Sequence, residues 1–242
     1  MFTYKRTIKS GPLTEIEYYR SFRKIGKNYG GRKINQSLTP EKQKRANRMR
    51  AIKNMQRLIL CNFTSGDYFV RLSIPRTELT EEEFEKIANK WKRKMRDAFR
   101  KKGKKFKYIS FTECGKLGKN WHMHIIVERE ALESVQKFWE YDGINFTALY
   151  TSGYYEKLAE YISKDVAGEK RIRTARCLKK PEIAVKEAGR REIKKLERGE
   201  MIKIPDGCFM LKDDENYNYN DITGASWYFA FLPLAYEKFD IS

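Results

Sequence analysis

The segment Trp121-His122-Met123-His124-Ile125-Ile126-Val127-Glu128 holds the only two histidines of the chain, separated by one apolar residue. Side chains on a β-strand alternate between faces, so His122 and His124 share a face while Trp121, Met123, Ile125 and Val127 turn toward a core. Two imidazoles roughly 7 Å apart along a strand can converge on one metal ion. The alternative is a pair of surface histidines on a half-exposed strand. Glu113 closes the preceding strand-like stretch Tyr108 to Glu113, and a turn with two glycines follows over 114–120. In an antiparallel hairpin its carboxylate can lie beside the histidine pair. Two imidazoles and one carboxylate leave open positions on a divalent ion, as a catalytic site requires. The alternative for Glu113 is a strand-end acid paired with a nearby lysine.

A candidate nucleophile follows. The spacing predicts a helix over 153–166, with Tyr155, Leu158, Ala159, Ile162 and Val166 as its apolar stripe. Tyr161 falls off that stripe, on the side of Tyr154, Lys157 and Lys164. Lys164 is one turn further on and can reach the neighbourhood of the Tyr161 hydroxyl. A tyrosine at its ordinary pKa of ~10 is a poor nucleophile at neutral pH. A lysine and a metal ion nearby both favour the phenolate. Taken alone, Tyr-x-x-Lys on a helix is common and carries little.

These residues need a scaffold, and the pattern supplies one. Residues 1–38 are basic and without clear period, and are expected to form an irregular arm. Thr39-Pro40-Glu41 is a helix start, with the helix running to about Cys61. Tyr68 to Ile74 alternates as a strand that Pro75 ends. Thr80-Glu81-Glu82-Glu83 caps a helix to about Arg100, whose stripe is Phe84, Ile87, Ala88, Trp91, Met95, Ala98 and Phe99. The hairpin comes next, then a short helix over 131–140, a strand from Ile144 to Tyr150 and the tyrosine helix. Beyond 168 the chain is heavily charged, with a helix expected over 181–198 and a candidate strand from Trp227 to Leu234. The order points to an α+β fold, an antiparallel sheet with helices packed on one face, in a core spanning 39–167 between two basic extensions, 1–38 and 168–242.

The composition bounds the partners. In 242 residues there are 51 Lys+Arg against 32 Asp+Glu, a net charge of +19, which attracts polyanions. A membrane surface and a ribosomal niche are the other readings of that charge. The 15 Tyr and 14 Phe interleaved with the basic residues suit stacking on unpaired bases. Two basic runs stand out. Arg45, Arg48, Lys53 and Arg57 lie in the first helix, and Lys92, Arg96 and Arg100 in the second; each run is either a phosphate-tracking surface or a solvated face. The four cysteines form no CxxC pair, which excludes a zinc ribbon or a dithiol redox motif. The first 20 residues are too polar for a signal peptide and no apolar run approaches the ~20 residues of a membrane span, so a cytoplasmic protein without a membrane is expected. No GxxxxGK[ST] occurs, so a helicase partner would have to be a separate protein.

Together, Tyr108-Ile-Ser-Phe-Thr-Glu113, the His-hydrophobic-His strand and Tyr161-Ile-Ser-Lys164 on a following helix resemble the HUH endonucleases, whose core is RRM-like. Within them the chain is most similar to the rolling-circle replication initiators (Rep proteins) of bacterial plasmids, phages and integrative elements. Phe69-Val-Arg-Leu-Ser-Ile74 stands at the place of their first motif, interrupted by Arg71. Leu158-Ala-Glu-Tyr-Ile162 and the basic segment Arg171 to Pro181 are also similar to plasmid-type members, and the resemblance spans roughly 40–180. It implies Mg²⁺ or Mn²⁺ on His122, His124 and Glu113, with Tyr161 as single nucleophile and Lys164 positioning it or stabilising its charge. Tyr154, two turns earlier, lacks the close spacing of the two-tyrosine relatives. The implied reaction is nicking and joining of single-stranded or hairpin origin DNA through a 5′-phosphotyrosine, in a bacterial host that supplies helicase and polymerase. An HUH transposase or relaxase acting on other DNA stays open, as does a non-catalytic basic nucleic-acid-binding domain.

Overall fold

The structure is a computed structural model that describes residues 1–27, 41–75, 79–115, 120–150, 152–164, 172–211, 217–220 and 223–239. In chain order the elements are β1 (Phe2–Ser10), β2 (Leu13–Ser21), α1 (Glu41–Leu60), β3 (Tyr68–Ser73), α2 (Glu81–Lys101), β4 (Tyr108–Cys114), β5 (Trp121–Val127), α3 (Leu132–Phe138), β6 (Gly143–Ala148), α4 (Glu156–Ser163), β7 (Arg173–Thr174), β8 (Glu182–Glu187), α5 (Arg190–Glu197), β9 (Cys208–Met210), β10 (Tyr217–Asn220) and β11 (Gly224–Pro233). Every strand pair is antiparallel, so the α+β class expected from sequence holds. Two compact units divide the chain: Met1–Asn47 with Lys180–Ser242, and Arg48–Lys179. No helix among the described residues is long and apolar enough to cross a membrane.

The unit Arg48–Lys179 carries a five-stranded sheet in the order β6-β3-β5-β4-β7. The stripe of α2 (Phe84, Ala88, Trp91, Met95 and Phe99) packs on Val70 and Leu72 of β3 and on Met123, Ile125 and Val127 of β5. Val135 of α3 and Trp139 complete this core. Apolar residues at helical spacing on α2 and at every second position on the strands leave no other face to bury. The start of α2 is fixed by a capping box: the Glu83 N–H donates to Thr80 Oγ1 (3.3 Å) and the Thr80 N–H to Glu83 Oε2 (2.9 Å). The Thr39-Pro40 start expected for α1 lies outside the described residues.

The other unit corrects two expectations. Residues 2–21 are a hairpin, not an irregular arm: Ser10 pairs with Leu13 around a two-residue turn in which Gly11 takes φ 56°. The alternation was masked by charge, because Arg6 and Glu17 are cross-strand partners that pair with each other instead of reading as apolar positions. This hairpin shares one sheet with C-terminal strands, β2 pairing β11 and β1 pairing β8. The single helix expected over 181–198 is a strand followed by a helix. Gly189 separates β8 from α5, and its N–H donates to Glu192 Oε2 (3.3 Å) to start the helix. The candidate strand at 227–234 is β11.

Gly143, the first residue of β6, is opposite Ser73 of β3, and any Cβ there would lie inside van der Waals contact of the Ser73 carbonyl and hydroxyl. Gly143→Ala should therefore cost about 1–3 kcal/mol by overpacking, read as a lower urea midpoint of the full chain. An unchanged midpoint would refute the close approach.

Candidate metal centre and nucleophile

Strand pairing assembles the site row by row. Glu113 of β4 and Ser73 of β3 are both directly opposite His122, while Phe111 of β4 and Arg71 of β3 are both directly opposite His124. Glu113, His122 and His124 thus meet on one face, opposite the face that packs on α2. Glu113 Oε1 lies 3.2 Å from His122 Nε2 and 3.1 Å from His124 Nε2. One ligand atom from each residue falls within 4.8 Å of the other two. Both histidines are buried and Glu113 is half-buried.

The donor set fits a divalent cation. The Nδ1 of His122 lies 3.3 Å from the Asn120 carbonyl. A carbonyl only accepts, so this contact makes Nδ1 the protonated nitrogen and leaves the Nε2 lone pair facing the site. Burial, reinforced by His122, pushes the pKa of His124 down to about 4 against the opposing pull of Glu113. His124 is therefore neutral at physiological pH, the form that ligates metal. Two imidazole lone pairs and a carboxylate oxygen at these separations repel one another unless a cation or a proton stands between them.

Tyr161 reaches the same oxygen from α4. Ala159 and Ile162 are buried as the stripe predicted, whereas Tyr161 is 38% exposed. Its hydroxyl donates to Glu113 Oε1 (2.8 Å) and lies 3.3 Å from His124 Nε2. The Tyr161 ring stands edge-on to His124, Phe111 and Phe69, with centroids 5.7, 5.7 and 6.2 Å away. Phe69 and Phe111 also stack on the His124 imidazole at 5.1 and 5.0 Å. Burial raises the Tyr161 pKa well above the ordinary phenol value, and the hydrogen bond to and charge of Glu113 raise it further. A cation that draws off the Glu113 charge removes two of those three causes.

Other expected site residues distribute unevenly. Lys164 is exposed immediately after α4. Tyr154 and Tyr155 are buried, both at positive φ (48° and 62°), and Gln56 Nε2 donates to the Tyr154 carbonyl (3.0 Å), so Tyr154 is not presented as a second nucleophile. Of the basic residues, Arg45, Arg48, Arg96 and Arg100 are exposed and Lys53 is half-buried. Arg57 and Lys92 are buried, which removes them from any phosphate-tracking surface. Lys92 lies beside Glu85, with its pKa lowered to about 8 chiefly by burial. Sequence reasoning did not single out Phe111 or assign Phe69 and Arg71 to the site face, because their place beside His124 depends on the strand registers.

Residues 67–166 match the family model of the replication-associated proteins of ORF2 type. The match takes in β3 through α4 and every residue of the candidate site. No curated protein and no solved structure matches the chain.

Two outcomes follow from the site geometry. Mn²⁺ at about 100 times its Kd should stabilise the protein by about 2.7 kcal/mol, visible as a higher Tm. His124→Ala should abolish the shift, while Tyr161→Phe should keep it or bind several-fold tighter, since its hydroxyl competes for Glu113 Oε1. An equal shift in His124→Ala would place the ion elsewhere. Without metal, the unfolded chain takes up a proton at His124 below its ordinary 6.5, and the folded protein only near 4. Stability is thus present above pH 6.5 and lost as pH falls toward 4, by up to about 3 kcal/mol. His124→Asn should flatten that part of a Tm-against-pH curve; an unaltered slope would contradict the assignment.

Proposed function

We propose that this replication-associated domain is a metal-dependent nicking and joining enzyme that opens one DNA strand to start rolling-circle replication of a mobile element. The observation that carries the reading is the meeting of the Tyr161 hydroxyl with Glu113 and His124 at the His122 and His124 pair. A non-catalytic binding domain has no use for that convergence. His122 Nε2, His124 Nε2 and Glu113 Oε1 would hold Mg²⁺ or Mn²⁺, because an open nitrogen and oxygen set suits these ions. When bound, the ion supplies Lewis-acid polarisation of the scissile phosphate.

The chain's own residues do the rest. Tyr161 Oη forms a bond to phosphorus as the bond to the 3′ oxygen breaks, leaving a 5′-phosphotyrosine and a free 3′ hydroxyl. Glu113 Oε1, already accepting from the Tyr161 hydroxyl, is the nearest base for its proton, and the departing 3′ oxygen takes a proton from water. Phe69, Phe111 and His124 hold the phenol ring, so its hydroxyl is aimed before DNA arrives. Lys164 adds a positive charge one turn along from Tyr161. Because the phosphodiester is exchanged for another of similar energy, the strand can be rejoined without a further energy source. The free 3′ hydroxyl would prime a host polymerase, with a separate helicase unwinding ahead of it in the bacterial cytoplasm. Exposed Arg45, Arg48, Arg96 and Arg100 would bind single-stranded or hairpin origin DNA through its phosphates.

The test is incubation with single strands from the origin region of the element that encodes the protein, with Mn²⁺ or EDTA, followed by a denaturing protein gel. A slower-migrating adduct should form only with Mn²⁺ and should drop at least about 1,000-fold in Tyr161→Phe. An adduct that survives Tyr161→Phe would move the nucleophile elsewhere. Tight metal-independent DNA binding with no adduct would leave the binding-domain reading standing.

A further inference from the structure

One cation on the site face has no part in the chemistry above. Arg71 interrupts the alternation of Phe69-Val70-Arg71-Leu72-Ser73 with a charge, yet Val70 and Leu72 still fill the core and Arg71 is exposed. Packing therefore does not require an arginine there. Its position is specific: Arg71 is directly opposite His124 on β5 and directly opposite Asn145 on β6. Directly opposed residues of neighbouring strands hold their Cβ atoms about 4.5–5.5 Å apart. Glu113 sits on the β4 side of the histidine pair and Arg71 on the β3 side, so the two imidazoles lie between an acid and a base.

The charge of Arg71 is felt by both reacting neighbours, opposing protonation of His124 and favouring the phenolate of Tyr161. Among the described residues no carboxylate pairs with it. Beyond Arg71 the face continues to the edge strand β6, where Asn145 and Thr147 are exposed. An exposed guanidinium beside a nucleophile and a candidate metal centre, on the side that leads to two exposed polar side chains, is a place for an anion. A guanidinium fork matches the paired non-bridging oxygens of a phosphodiester.

We propose that Arg71 clamps the scissile phosphate: its guanidinium binds the non-bridging oxygens of the phosphodiester that Tyr161 attacks, with the strand leaving across Asn145. The proposal rests on the nicking reading above. The pentacoordinate transition state carries more charge on those oxygens than the ground state does, so the clamp acts mainly on kcat.

The experiment compares wild type, Arg71→Lys and Arg71→Ala for adduct formation over a range of DNA concentrations with Mn²⁺, alongside Mn²⁺-induced thermal stabilisation of each. Arg71→Ala should lose about 100- to 1,000-fold in kcat, with Arg71→Lys recovering part and Mn²⁺ stabilisation unchanged in all three. A full rate in Arg71→Ala would overturn the clamp, as would a loss confined to KM, which would make Arg71 a general DNA contact. Loss of Mn²⁺ stabilisation in Arg71→Ala would overturn it in favour of a structural role. Wild-type adduct beside an unaffected Arg71→Ala sinks the clamp and leaves the nicking reading intact, whereas no wild-type adduct sinks both.

Discussion

The register of β4 against β5 decides what the site can be. Glu113 faces His122 because Tyr108 faces Val127, and every pair between follows in step. Side chains on a strand alternate with period two, so a slip of one residue would turn Glu113 toward the α2 core and bring Thr112 to the histidines. No carboxylate would then reach Nε2 of either imidazole. The alternation of β5 guards against that slip: Met123, Ile125 and Val127 are fully buried against α2, and turning them outward would expose the centre of the core. The same β5 residues that hold the fold therefore hold the histidines in place.

A single oxygen, Glu113 Oε1, then organises the chemistry. Two imidazole nitrogens and a phenol oxygen lie within 3.2 Å of it. In this arrangement the phenol proton is retained, because the acid accepts it and burial disfavours a phenolate. A cation among these atoms reverses the preference, drawing charge from the acid and weakening its hold on the proton. The nucleophile is thus coupled to metal occupancy by its own hydrogen bond. The aromatic surround makes this practical, since Phe69 and Phe111 fix the His124 plane and the Tyr161 ring together. The consecutive positive-φ residues Tyr154 and Tyr155 ahead of α4 are backbone conformations that cost on the order of 1–3 kcal/mol each. Both side chains are buried, so packing sustains the turn from which the nucleophile helix starts.

Much of this was legible in the sequence because period-two and period-3.6 patterns are local. The histidine pair, the Glu113 hairpin, the α2 stripe and the outward position of Tyr161 follow from residue spacing alone. Legibility failed where pairing is long-range or charge conceals the pattern. Residues 2–21 alternate, but Lys5, Arg6, Lys9 and Glu17 among the tyrosines read as a basic arm until strand partners near residues 185 and 229 are known. In β8 the apolar residues Ile183 and Val185 are exposed, so no buried face marks the strand. The burial of Arg57 and Lys92 was also hidden, because a helix basic on several sides does not announce which base turns inward.

Lys92 shows how the buried charges serve the site from the opposite face. Glu85 of α2 accepts from Thr112 Oγ1 (2.7 Å) and from Arg173 Nη2 of β7 (3.0 Å), with Lys92 contributing a further positive charge. Thr112 is the residue before Glu113. Its side chain points into the α2 face while the carboxylate points to the histidines. The network therefore clamps the last turn-proximal stretch of β4 between a helix and an edge strand, one residue from the metal-ligand candidate. Apolar residues of similar volume could fill that space at less desolvation cost. They could not give direction, because apolar contact is indifferent to small rotations of a strand, whereas a hydroxyl-to-carboxylate bond is not. A ligand oxygen that must stay near 3 Å from two imidazoles needs that directional constraint, and in β4 it comes from the neighbouring residue on the other face.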